Sequence, residues 1–342
     1  MTREGTDGNM SKASAYLRHS SVVFLYVASL FILVNFLGKF CRTPVGWAIF
    51  AIFSLVLIRL SKGSEYAEKS TVKGILSISA VVVSLGLEAG IVTGIYSTLS
   101  EAKSGISDNC FFAVFIVIAC LILSAKENRS VIGASVMMAG IVFIPLITCV
   151  ASLFLNGADL GVITQIEGVS LASEASGGII SALLFFGDIE ILNELQVNSG
   201  SYSNTYLRRG AFCAVCYILI FGIVLSLTLG KVLYAVSDSP AFALTRAVSS
   251  FGLEELLLTV YAVCLLLRFI LKVLYIREGF RLLGVSGKRR NRAVSVICLF
   301  ASVCGVIGVQ YFGGFVFGCI LAVIMNAVAF VLLPSVKKIL KK

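Results

Sequence analysis

The most informative ionisable side chains stand within apolar runs, where an uncompensated charge is costly and a retained one marks function. Glu88 occupies the middle of Gly86-Leu87-Glu88-Ala89-Gly90, and Gly86, Gly90 and Gly94 recur at four-residue spacing. On a helix that spacing gives a small-residue stripe that lets another helix approach closely. Glu88 is turned about 160–200° away from the stripe and need not face the same neighbour. A carboxylate there suits proton acceptance or ion pairing; the alternative is a neutral, hydrogen-bonded Glu that only packs. Asp188 and Glu190 follow Phe185-Phe186-Gly187, with Glu194 one turn later. Asp188 is placed to cap a half-helix beginning at Gly187, and Glu190 and Glu194 share a face close to a membrane boundary. Arg268 and Lys272 are also four residues apart. Arg268, the deeper, is expected to meet an internal partner, either Glu88 or the Asp188/Glu190 pair. Lys272, within two turns of a charged loop, is expected to snorkel to the headgroups.

The other reactive residue types argue against catalysis. The single histidine, His19, is near the N-terminus, so no nucleophile–His–acid set and no metal site is expected. No phosphate-cradling glycine loop follows a strand, and no cofactor is implied. Most of the ten cysteines lie inside apolar runs, including the Cys213/Cys216 C-x-x-C. They read as small packing residues, not a disulfide framework.

The elements that carry these side chains follow from composition. Apolar residues make up 58% of the 342 and charged ones 13%, with mean hydropathy +0.99. A soluble domain averages about 45–50% apolar and about 25% charged. The fold class expected is all-α and polytopic, one membrane domain over 20–335 between a cytoplasmic tail, 1–19, and a basic tail, 336–342. The spans read at about 20–40, 44–60, 72–98, 109–125, 130–155, 176–196, 210–235, 252–276, 293–310 and 313–333. The tenth depends on a tight turn at Gly313-Gly314. No small-x-small cleavage site follows the first run, so it is read as a retained span.

The charge of +10 has a topological explanation in place of nucleic acid. With both termini cytoplasmic, the outer segments hold only Lys39, Arg42, Lys103, Lys231 and Arg246 of the 28 Lys and Arg residues. Apart from Arg268 and Lys272 the rest lie inside, as the positive-inside rule requires. The run Lys288-Arg289-Arg290-Asn291-Arg292 is read as a topology determinant facing anionic lipid. Ten spans divide into five plus five, the plan of inverted-repeat transporters whose first helix in each half is broken near the midplane. Asn35 and Gly38 in span one, and Gly177, Gly178 and Gly187 in span six, are the expected interruptions.

Several stretches resemble a known family. Ser239-Pro240-Ala241-Phe242-Ala243-Leu244-Thr245-Arg246, followed by Phe251-Gly252-Leu253-Glu254-Glu255-Leu256, is similar to the entry to span eight in the endospore germination permeases. These are the B subunits of GerA-type germinant receptors, within the amino acid–polyamine–organocation superfamily. Glu127-Asn128-Arg129 with Pro145, and Phe185-Phe186-Gly187-Asp188 with Glu190, look similar too, although the family's span-six proline is absent. The resemblance implies an inverted-repeat transporter fold and a small-molecule site among spans one, three, six and eight. It further implies an amino acid ligand, and A-type and C-type partner subunits in a spore inner membrane. A proton-coupled amino acid permease of the bacterial cell membrane, with Glu88 as proton site, is the alternative.

Overall fold

The computed structural model describes residues 43–60, 71–99, 106–124, 140–157, 170–198, 204–236, 243–244, 254–285 and 287–312, with Phe24 and Ile324 as single positions. The expected first and tenth spans, the Gly313-Gly314 turn, and Asn35 and Gly38 lie outside the described residues. Each long element described is an α-helix: α1 Pro44–Leu60, α2 Thr71–Leu99, α3 Ile106–Ser124, α4 Phe143–Asn156, α5 Leu171–Asn198, α6 Asn204–Val236, α7 Glu254–Leu282 and α8 Gly287–Phe312. α1 begins and ends where hydropathy places span two. Thr43 accepts from the Gly46 N–H at 3.3 Å, and Pro44 fills the first helical position, where a missing N–H costs nothing.

Among the described residues three stretches are long and apolar enough to cross a membrane, Leu207–Gly230, Thr259–Arg281 and Gly287–Gly308. Five others carry shorter apolar runs. The outward faces of the bundle are apolar in stripes: Phe115, Ile118 and Ile122 on α3, Phe143, Ile147 and Phe154 on α4, and Val296, Phe300 and Ile307 on α8 are all exposed. Water would not tolerate so many contiguous apolar faces; lipid does. Hydroxyls inside the helices bond back to their own turn. Thr93 donates to Gly90 O, Thr148 to Ile144 O and Ser302 to Leu299 O, which satisfies them without water. The described chain is thus all-helical and suited to a membrane.

The helices pack in two groups. In one, α2, α3, α7 and α8 each touch the other three. In the other, α1, α5 and α6 touch one another, and α4 lies against α6. α7 also touches α5 and α4, so it lies between the groups. Its middle is closed off on all sides: every residue from Leu267 to Ile276 is buried.

Contact registers give the helix directions. Ile78 lies against Gly279, Ser84 against Lys272 and Glu88 against Arg268, so α2 and α7 are antiparallel. Thr43 meets Glu174, Phe50 meets Phe185 and Leu57 packs on Phe186, so α1 and α5 are parallel. Val142 meets Tyr217 and Cys149 meets Thr228, so α4 and α6 are parallel.

Glycines do two different jobs. Gly86 and Gly305 bring α2 and α8 into backbone contact: a Cβ on Gly86 would lie 2.5 Å from the Ala301 carbonyl oxygen, and one on Gly305 would fall on that of Gly86. Gly86 of the expected stripe therefore seats a neighbour, and Glu88 faces a different one. Gly284, at φ +80, ends α7. Its N–H donates to Arg281 O, and the Val285 N–H to Phe280 O, the six-to-one and five-to-two pattern of a Schellman turn.

One expectation is corrected. α5 is helical without interruption from Leu171 to Asn198, through Gly177, Gly178 and Gly187, so Asp188 caps no half-helix. Gly178 is there for proximity: a Cβ would lie 2.8 Å from Gly46 O and 3.1 Å from the Phe50 N of α1. Non-helical backbone inside a described helix occurs instead at Gly230 of α6 (φ 71, ψ 170).

Candidate functional site

α2 and α7 cross with their polar residues facing. On α2, Ser77, Ser84 and Glu88 follow at spacings of seven and four, which keeps them on one helical face. On α7, Arg268 and Lys272 repeat the four-residue spacing, antiparallel to Ser84 and Glu88. The two rows meet at Glu88, near the middle of each helix. Arg268 Nε and Nη2 donate to Glu88 Oε1 at 3.0 and 2.7 Å. Lys272 Nζ donates to the same oxygen and to Ser84 Oγ. Relative exposure of the Glu88, Arg268 and Lys272 side chains is 1%, 1% and 0%.

Removing such ions from water costs several kcal/mol each, and only close pairing with further hydrogen bonds offsets it. The cluster provides both. All the described donors converge on Oε1, however. Oε2 is buried and has no hydrogen-bond partner among the described residues. It is an acceptor left open in a medium of low dielectric, an arrangement that in native structures calls for an explanation.

Two of the residues singled out in the sequence, Glu88 and Arg268, are brought together. Arg268 meets Glu88, one of its two expected partners. Lys272 does not snorkel: α2 closes over it, and Ser84, one turn from Glu88, holds its ammonium. Ser84 itself was not anticipated, since a serine in an apolar run carries no signal of its own. Asp188, Glu190 and Glu194 are on α5, with Gly187 buried beside them, but the side chains of the three acids lie outside the described set. Within that set no group of three or more His, Cys, Asp or Glu residues is placed to hold a metal. The eight described cysteines are free thiols, and Cys120, Cys149, Cys264 and Cys298 are buried.

A second buried carboxylate was unforeseen. Glu174, in the first turn of α5, accepts at Oε2 from the Thr43 N–H at 3.0 Å and the Thr43 hydroxyl at 2.9 Å. It falls between the spans read at 130–155 and 176–196. Its partner is 131 residues away, beyond the reach of any local pattern.

No known family model matches the chain, and a search of curated proteins finds no match.

Proposed function

We propose that this is a multi-pass membrane protein of permease-like, five-plus-five architecture that recognises a small nutrient and acts as the B-type subunit of a spore germinant receptor. The observation that carries the reading is the sealed Glu88–Arg268–Lys272 cluster at the crossing of α2 and α7. In a membrane, buried ionisable groups of this kind mark ligand or ion pathways. Were the chain only a scaffold, apolar residues would fill that crossing at no loss of stability.

The packing supports the architecture. With ten alternating spans, α2 and α7 are the third of each half and run in opposite directions, while spans two and six, and five and seven, run in the same direction. All three relations agree with the contact registers. Each described helix of the first half that has a described counterpart one half later also touches it, in the pairs α1 with α6, α2 with α7 and α3 with α8. Both termini are then cytoplasmic, and Lys288, Arg289, Arg290 and Arg292 at the start of α8 lie on that side.

A zwitterionic amino acid is the ligand that the resemblance implies. The complex would include A-type and C-type subunits in a spore inner membrane. Deletion of the gene should abolish nutrient-triggered germination, and purified chain in proteoliposomes should accumulate no labelled amino acid. Uptake by the chain alone would instead establish a proton-coupled amino acid permease of the cell membrane. If neither Glu88→Gln nor Asp188→Asn alters ligand binding or response, the site assignment is wrong.

A further inference from the structure

The Glu174–Thr43 contact is more than a helix cap. Thr43 already caps α1 through its own hydroxyl, which accepts from the Gly46 N–H. Its backbone N–H lies outside the helix and is not needed to complete it. The Glu174 carboxylate reaches across from α5 to take that N–H and the hydroxyl proton together, with both residues buried. A side chain that does this joins two helices at their first turns.

Directly below, the α1–α5 seam is built for close contact. Gly178 brings α5 against the backbone of Gly46 and Phe50, and Phe50 meets Phe185 edge-on at 5.7 Å. One turn into α1 stands Trp47, the only tryptophan in the chain. Its N–H donates to Thr43 O at 3.3 Å. Its ring is buried against Gly222 of α6, where a Cβ would fall 2.6 to 2.9 Å from three ring carbons. Thr43 is thus tied on one side to α5 through Glu174, and on the other, through one helical turn, to a ring wedged on α6.

We propose that Glu174 and Thr43 form a latch at the end of the α1–α5 seam, and that its opening is passed to α6 by Trp47. Two features make it releasable. The hold on Thr43 is two hydrogen bonds to one oxygen, and helix α1 keeps its cap when they break. Release lets the first turn of α1 lift, and Trp47 must then leave the Gly222 notch, because packed cores switch between discrete arrangements and do not deform smoothly. This device is independent of what the protein binds.

Trp47 reports on its own position. In the full chain in detergent or nanodiscs, Glu174→Ala should move tryptophan emission to longer wavelength and raise acrylamide quenching several-fold, with far-ultraviolet circular dichroism unchanged. Glu174→Gln, whose amide oxygen still accepts both bonds, should stay near the wild type. In a Gly222→Ala background, where the ring is already displaced, Glu174→Ala should add little. Should Glu174→Ala not fold, Glu174→Asp, one methylene shorter, carries the test with a smaller rise. Wild-type emission and quenching in a folded Glu174→Ala or Glu174→Asp chain would overturn the latch. Full additivity with Gly222→Ala would overturn transmission through Trp47.

Discussion

Arg268 grips Glu88 with two nitrogens on a single carboxylate oxygen, Nε at 3.0 Å and Nη2 at 2.7 Å, across 180 residues of sequence. Lys272 reinforces the same oxygen from one turn further along α7. Cutting one member from such a cluster leaves the others buried without their counter-charge.

Glu88→Leu should therefore destabilise the protein by about 3–5 kcal/mol, the range for removing one partner of a buried ion pair. The triple replacement Glu88→Leu, Arg268→Leu, Lys272→Met should recover much of that loss. Thermal unfolding in detergent reads both. Simple addition of the single-site costs would show that the three charges do not act together.

The α2–α8 contact offers a test with an internal control. Gly305→Ala should cost about 1–3 kcal/mol or more, as overpacking does, because its methyl would fall on the Gly86 carbonyl. Gly308→Ala, three residues on in the same helix, meets nothing within 4 Å and should be neutral or slightly stabilising. Equal midpoints for the two variants would contradict the packing.

At the α7 turn, Gly284 has open space around it, so any penalty there is purely conformational. Gly284→Ala should cost about 1–2 kcal/mol for a side chain in the left-handed region, and Gly284→Asn distinctly less. The ordering of their unfolding midpoints checks this.

The exposed stripes separate lipid from water. Phe300 faces outward on α8. In water, Phe300→Asp would be harmless or would aid solubility. In a bilayer it should cost roughly 2.5–3.5 kcal/mol at mid-depth, seen as reduced membrane-fraction yield and exposure of α8 to added protease. Full insertion of the aspartate variant would place that face out of contact with lipid.

Much of this framework is legible in the chain itself, and the reasons differ by feature. Helix α1 is readable because its apolar run alone marks both ends, Pro44 and Leu60. The pairing of Glu88 with Arg268 is partly readable, since two opposite charges in apolar runs must find each other or pay for isolation. Lys272 was misjudged because depth along a helix does not reveal whether neighbours block the way to the headgroups. Gly178 was misjudged for a related reason: the same residue that permits a break also permits close approach, and only the presence of α1 decides between them. Glu174 and Thr43 were invisible as a pair, since nothing near either residue encodes a bond to the other.

The distance in sequence between Glu88 and Arg268 also sets a problem of timing. A ribosome adding about 5–20 residues per second completes α2 on the order of ten to forty seconds before Arg268 exists. Throughout that interval the carboxylate has neither of its cationic partners. α2 must wait where its charge is tolerated, in the insertion machinery or against water, and commit to its final depth only when the α7–α8 hairpin arrives. Assembly of this protein is thus gated by α7 and α8, and a chain truncated before Arg268 should be held back or degraded, however apolar its finished helices are.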